Sequence, residues 1–237
     1  MDFTDFQQIE QLFRGDFLAE PAVIYDRLAE IKAYVFDWDG VFNNGEKNEN
    51  GSSPYNEIDS MGINMLRFNH FLREGQNPVV AVISGERNTA AFTLAGREHF
   101  HAVYYKIKNK SEALAHLCHA HNIQPHEVAF FFDDVLDLSM AGSCGLRILV
   151  GDDCNPMFKY LVKTNNFADY ITHNDGGDHA LREAAELLMG LSGRYDETIM
   201  QRVHFSDSYQ EYLDARDTQQ TVHYTSVAPG LIERAQQ

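Results

Sequence analysis

From Ile31 to Leu191, short apolar runs alternate with longer stretches in which apolar residues recur at helical spacing. The runs cover Ile31 to Phe36, Pro78 to Ile83, His101 to Tyr105, Glu127 to Phe132, Leu146 to Val150 and Ala168 to Ile171. Runs of this length, rich in β-branched and aromatic residues and closed by polar turn residues, predict buried strands. The stretches between them predict helices over Asp59 to Arg73, Asn88 to Gly96, Lys110 to His121, Val135 to Gly142, Asn155 to about Val162 and Asp178 to Leu191. In the first of these, Ile63, Leu66, Phe68 and Leu72 supply the apolar contacts. Strict alternation of strand and helix predicts an α/β fold, a parallel sheet with helices on both faces.

The flanks break this rhythm. Phe3, Phe6, Ile9, Leu12 and Phe13 predict a helix behind a Thr4 or Asp5 cap, and Pro21 opens a second one through Glu30. After the first strand, Asn43 to Ser53 is rich in Asn and Gly. It lies between two short extended pieces, Val41-Phe42 and Tyr55 to Ile58, which predicts a β-hairpin overhanging the strand end. Beyond Gly193, Asp196 to Ala215 reads as helical and Gln219 to Gln237 as a polar tail containing Pro229-Gly230. The expected organisation is an N-terminal helical extension (1–30), a central domain (31–193) with a hairpin flap (42–58), and a C-terminal helix and tail (194–237).

Charge narrows the functions open to this fold. Lys and Arg number 19 against 35 Asp and Glu, a formal charge of −16. That excess disfavours both nucleic-acid phosphates and an anionic membrane surface as partners. A small anionic substrate needs local positive charge or a metal ion here. Cys118, Cys144 and Cys154 form no C-x-x-C pair and cannot all pair with one another, which reads as thiols of a reducing compartment. The acidic start Met1-Asp2-Phe3 lacks an apolar leader, and the cytoplasm is the expected location.

The candidate chemistry sits after the strands, where α/β sheets bind ligands. Asp37 and Asp39 follow the first strand and point to one side, since side chains repeat every second residue. Trp38 between them alternates into the core, and Gly40 lets the backbone turn away. Two like charges this close call for a cation or a raised pKa. Ser84-Gly85 ends the second strand, Lys110 opens a helix, and Asp133, Asp134 and Asp137 follow the fourth strand. A carboxylate can attack phosphorus, a second can move a proton, and carboxylates from two strands can hold Mg²⁺. A serine and a lysine can take the phosphoryl oxygens, which makes this set nearly sufficient for phosphoryl transfer. Asp133-Asp134 also suits a helix cap, a role compatible with metal binding. His116, His119, His121 and His126 with Cys118 suggest zinc, but nothing completes a tetrahedral set, and they read as exposed helix residues. Gly176-Gly177 reads as a loop hinge or as a place where substrate nears the backbone.

The ordered set Asp37-Trp38-Asp39-Gly40-Val41, Ser84-Gly85, Lys110 and Asp133-Asp134-Val135-Leu136-Asp137 resembles the haloacid-dehalogenase-like phosphatases. Asp59 to Leu66, Ala168 to Thr172, Gly176-Gly177 and Ala180 to Glu183 add a resemblance to their 3-deoxy-D-manno-octulosonate 8-phosphate phosphatase branch. The similarity spans roughly Ile31 to Leu191. It implies a three-layer Rossmann-like sheet without a large cap domain, Mg²⁺ as cofactor, and hydrolysis of a small phosphorylated metabolite, a sugar acid phosphate above all. It implies Asp37 as nucleophile and Asp39 as general acid/base lending its backbone carbonyl to the metal. Ser84, with Gly85, and Lys110 would hold the phosphoryl group. Asp133 would complete the metal site, with Asp134 and Asp137 as a second ligand or as support behind it. The branch is similar in forming a tetramer in which flaps shape one another's sites. Two departures stand out: Phe132 where the family usually has glycine, and Glu86 where a basic residue usually follows Ser/Thr-Gly. They motivate the alternative of a catalytically weak metabolite-binding or regulatory protein. A phosphoacceptor receiver domain fits less well, because there the lysine comes after all the acids.

Overall fold

The computed structural model describes residues 6–151 and 153–235. The expected helix start at Phe3 with its Thr4 or Asp5 cap, and the last two glutamines, lie outside the described residues. Among the described residues nine strands form one sheet, in the order β1-β7-β6-β5-β2-β3-β4-β8-β9. The predicted runs become β2 (Ala33–Phe36), β3 (Val79–Ile83), β4 (Ala102–Tyr105), β5 (Val128–Phe132), β6 (Leu146–Gly151) and β7 (Tyr170–Asp175). All six pair in parallel.

Side-chain alternation divides the core into two layers. Tyr34, Phe36, Val80 and Val82 face one side, beneath α2 (Pro21–Glu30), α3 (Glu57–Glu74), α4 (Thr89–Arg97) and α8 (Ala180–Leu191). Ala33, Val35, Ala81 and Ile83 face the other, beneath α5 (Lys110–His121), α6 (Leu138–Ala141) and α7 (Pro156–Asn165). Each fully buried Val, Ile or Phe side chain among them contributes about 1.5–3 kcal/mol. Asp59, wholly buried, accepts the backbone N–H of Arg182 at 2.8 Å, so the start of α3 caps the start of α8.

Three segments differ from the sequence expectation. Residues 42–56 form no strands, and Ile58 already lies in α3. The asparagines bind their own loop instead: Asn43 Oδ1 accepts from Gly45 N, Asn44 Oδ1 from Glu46 N, and Asn48 Oδ1 from Asn50 N and Ser52 N. Side chains that serve the backbone locally compete with a strand ladder. The segment 219–237, expected as a polar tail, supplies β8 (Val222–Ala228) and β9 (Leu231–Arg234). β8 runs parallel to β4, and β9 turns back on it through Pro229-Gly230. The stretch before them is two helices, α9 (Tyr195–Val203) and α10 (Asp207–Asp217), rather than one. At the other edge β1 (Asp16–Phe17) pairs antiparallel with β7; the remaining helix, α1, spans Phe6–Leu12. Among the described residues no helix is long and apolar enough to cross a membrane.

Candidate active site

From β2 the chain winds outward through β3 and β4, then returns to β5 on the other side of β2 and continues through β6 and β7. The reversal opens a crevice at the carboxyl end of β2, the place where such sheets bind ligands. A cavity of about 400 Å³ lies there. Its lining includes every predicted site residue: Asp37, Asp39, Ser84, Gly85, Lys110, Asp133, Asp134 and Asp137.

The acids divide into two groups. Asp37, Asp133 and Asp137 each bring one carboxylate oxygen within 4.8 Å of the others. Asp137, expected as a second ligand or as support, is thus part of the converging set. Asp39 lies outside it: its Oδ2 takes the ammonium of Lys47 at 2.6 Å and its Oδ1 accepts the hydroxyl of Ser53. Asp134 is exposed and accepts the N–H of Val135 at 2.6 Å, capping the 3-10 turn Val135–Asp137.

Lys110 is buried among these charges. Its Nζ is 2.7 Å from Asp37 Oδ1 and also contacts Asp137 Oδ1. The lysine belongs here because Asn109 caps α5 through Ser111 N, starting the helix with Lys110 against the sheet. Burial acts to lower the Lys110 pKa, yet Asp37 and Asp137 outweigh it and the net shift is upward. Asp37 is pushed up by burial, with Lys110 pulling the other way. Asp133 is pushed up by burial and by repulsion from Asp37 and Asp137. Its Oδ1 is buried and has no hydrogen-bond partner among the described residues.

Three carboxylates against one ammonium leave a formal excess of two negative charges. An unpartnered, buried carboxylate oxygen is costly. Hard oxygen donors with that residual charge suit a divalent ion such as Mg²⁺. The residues present therefore fit the expected metal, with Asp37, Asp133 and Asp137 as side-chain donors.

Two glycines make this approach sterically feasible. Gly40 has φ +82°, and a Cβ there would stand 1.9 Å from Asp133 Oδ2. A side chain at Gly176 would meet the Gly40 carbonyl at 1.9 Å. Gly176-Gly177 is thus a close seam between the β7–α8 loop and the turn after Asp39, rather than an isolated hinge. Ser84 is buried; its Oγ accepts the N–H of Glu86 at 3.3 Å, in a tight turn. Glu86 stays in the cavity wall, while Arg87 lies over the Phe92 ring at 5.2 Å. Phe132 is buried and stacks on Phe130 in the layer beneath α5 and α7, so its bulk points away from the cavity. Trp38 is in the core, stacked on Phe42 at 4.5 Å.

The histidine-rich helix differs from expectation in detail. Cys118 is buried and His116 meets the Tyr104 hydroxyl at 2.9 Å, because that face of α5 packs on the sheet. Among the described residues only the three aspartates form a group able to hold a metal. Sequence reasoning missed Lys47, Ser53 and Asn88. Their separations, such as 14 residues for Ser53 to Asp39 and 35 for Asn88 to Ser53, leave no local signal.

Comparison with known proteins agrees with the geometry. No family model matches the chain. A 3-deoxy-D-manno-octulosonate 8-phosphate phosphatase of Salmonella typhi is 28% identical over 178 residues, covering 73% of this chain and 87% of that protein. The Moraxella catarrhalis phosphatase of the same name, solved with magnesium, phosphate and KDO, matches with TM-score 0.63 at 25% identity. That match covers 76% of this chain and 97% of the other. A probable phosphatase from Pseudomonas syringae matches with TM-score 0.64 and 26% identity, over 77% of this chain and 98% of its own. A putative haloacid-dehalogenase-superfamily hydrolase of Legionella pneumophila shares the fold at 22% identity and TM-score 0.64, over 77% of this chain and 95% of its own.

Proposed function

We propose that this chain, which has the haloacid-dehalogenase-like fold and resembles the 3-deoxy-D-manno-octulosonate 8-phosphate phosphatases, is a Mg²⁺-dependent phosphatase of a small phosphorylated metabolite. A sugar acid phosphate is the first substrate class to test, since that is what the named relatives act on. The observation that carries the reading is the convergence of Asp37, Asp133 and Asp137 around Lys110 in the cavity that also holds Ser84 and Asp39.

In this reading the Asp37 carboxylate attacks phosphorus, the bond to the leaving oxygen breaks, and an aspartyl-phosphate forms. Asp39 gives the leaving oxygen a proton, then takes one from the water that hydrolyses the intermediate. Ser84 and the backbone at Gly85 hold the phosphoryl oxygens. Lys110 orients Asp37 through its 2.7 Å contact and offsets the charge that gathers on the transferring group. Asp37, Asp133 and Asp137, with the Asp39 carbonyl, would hold the ion, and Asp134 would brace the turn that carries Asp137. When bound, Mg²⁺ supplies charge neutralisation for phosphoryl oxygens and nucleophile.

The same reading takes 31–193 as the catalytic domain, with 1–30 and 194–237 as additions to it. It extends to a cytoplasmic homotetramer, and a monomeric mass in sedimentation would remove that part. The catalytically weak alternative rests on Glu86 in the cavity wall and on Phe132, whose ring packs into the core rather than lining the cavity. With Mg²⁺, p-nitrophenyl phosphate should be hydrolysed, and Asp37→Asn should reduce turnover by about a thousandfold or more. Pure protein that releases phosphate from no member of a broad ester panel would refute the reading.

A further inference from the structure

A buried polar chain behind Asp39 has no part in the mechanism so far. Asp39 Oδ1 accepts the hydroxyl of Ser53, which is 1% exposed. Ser53 Oγ in turn accepts Nδ2–H of Asn88 at 2.7 Å, and Asn88 is also 1% exposed. Asn88 Oδ1 accepts the backbone N–H of Ala90 at 3.0 Å and of Ala91 at 3.4 Å, and the hydroxyl of Ser52 at 2.8 Å.

The polarity of this chain is determined. Backbone N–H groups only donate, so the side of the Asn88 amide facing Ala90 and Ala91 is its oxygen, and the nitrogen faces Ser53. Ser53 has a single proton; it accepts from Asn88 and gives its own proton to the carboxylate, which can only accept when ionised. Hydrogen bonds thus run one way, from the start of α4 to Oδ1 of Asp39. Capping α4 needs only the Asn88 oxygen, and the amide nitrogen reaches Ser53 in addition. The other oxygen, Oδ2, meets Lys47, whose side chain is 36% exposed and sits on a flexible stem.

We propose that Ser53 and Asn88 are positioning residues for proton transfer by Asp39. They fix Oδ1, so Oδ2 is the oxygen that carries the proton once Lys47 moves aside. This rests on the phosphatase reading. As the bond between Asp37 and phosphorus forms and the ester P–O bond breaks, the proton on Oδ2 passes to the leaving oxygen. In the hydrolytic step the same oxygen takes a proton from water as the water oxygen bonds phosphorus; the bond between Asp37 and phosphorus breaks, phosphate leaves, and the starting state is restored.

A nitrophenolate leaves well without a proton, whereas an alkoxide needs one, and this difference separates positioning from general damage. The test measures kcat/KM with Mg²⁺ for p-nitrophenyl phosphate and for a panel of alkyl phosphates that includes glycerol phosphate. The proteins compared are wild type, Asp39→Asn, Ser53→Ala and Asn88→Asp. Asn88→Asp keeps an oxygen for the α4 cap and lacks the amide donor. In both Ser53→Ala and Asn88→Asp the alkyl-to-aryl ratio should fall about tenfold or more, in the direction of Asp39→Asn. Equal losses on both ester types, or an unmoved ratio, overturn the proposal. If Ser53→Ala does not fold, Asn88→Asp decides the matter alone. Wild type inactive on every ester removes the phosphatase reading itself; active wild type with an unmoved ratio removes only the positioning role.

Discussion

Two aspartates, one at each end of the parallel sheet, are treated in opposite ways. Asp169, just before β7, contacts both Arg27 and Arg147, and its Oδ2 accepts the backbone N–H of Arg147 at 2.9 Å. Asp133, just after β5, faces two further carboxylates and leaves Oδ1 without a partner. The first end is closed electrostatically and ties α2 to the strands. The second keeps a charge excess that one lysine does not cancel. A fold that satisfies its acids where only stability is at stake, and leaves them unsatisfied in a cavity, marks the cavity as the place for a ligand.

The contrast can be broken from either side. Asp169→Ala should cost about 3–5 kcal/mol, because two guanidinium groups lose their shared anion; denaturant midpoints would measure it, with turnover per folded molecule retained. Asp133→Asn should do the reverse. It relieves repulsion without metal, and it forfeits the stabilisation by Mg²⁺, about 2.7 kcal/mol for an ion at a hundred times its Kd. Thermal melts with and without Mg²⁺ would show a metal-dependent shift in wild type and little in the variant. An equal shift in both would place the ion elsewhere.

A third test concerns pH and the closed end of the sheet. His70 and His101 are held down to about 3, both chiefly by burial. Their unfolded value is about 6.5, so below it the unfolded chain binds the extra protons. Their contribution is therefore intact above about pH 6.5 and is lost as pH falls toward the folded value. The slope should approach about 1.4 kcal/mol per pH unit for each histidine. Denaturation at several pH values would measure it, and His70→Leu should flatten the profile.

The parts legible in the sequence were those with strong local pattern. β2 and β5 are continuous apolar runs buried on both faces, and their ends announced Asp37 and Asp133. β8 was missed because its residues are half-buried and polar residues interleave, as in His223 between Val222 and Tyr224. Its contact is tertiary: Tyr224 stacks on Tyr104 at 5.0 Å, which no local period reveals. β1 has two residues, too few for any alternation to register. At the site, residue types and order were readable. That Asp137 would reach Lys110 and that Asp39 would turn toward Ser53 depended on side chains brought together only by folding.

The strand that leads into Asp37 occupies the middle of the nine described strands, with four neighbours on either hand. Material gained or lost at the margins, such as the hairpin beyond β4, is therefore separated from the reacting groups by intact strands. The architecture allows the periphery to be remodelled, for assembly or for docking, while the centre keeps one chemistry.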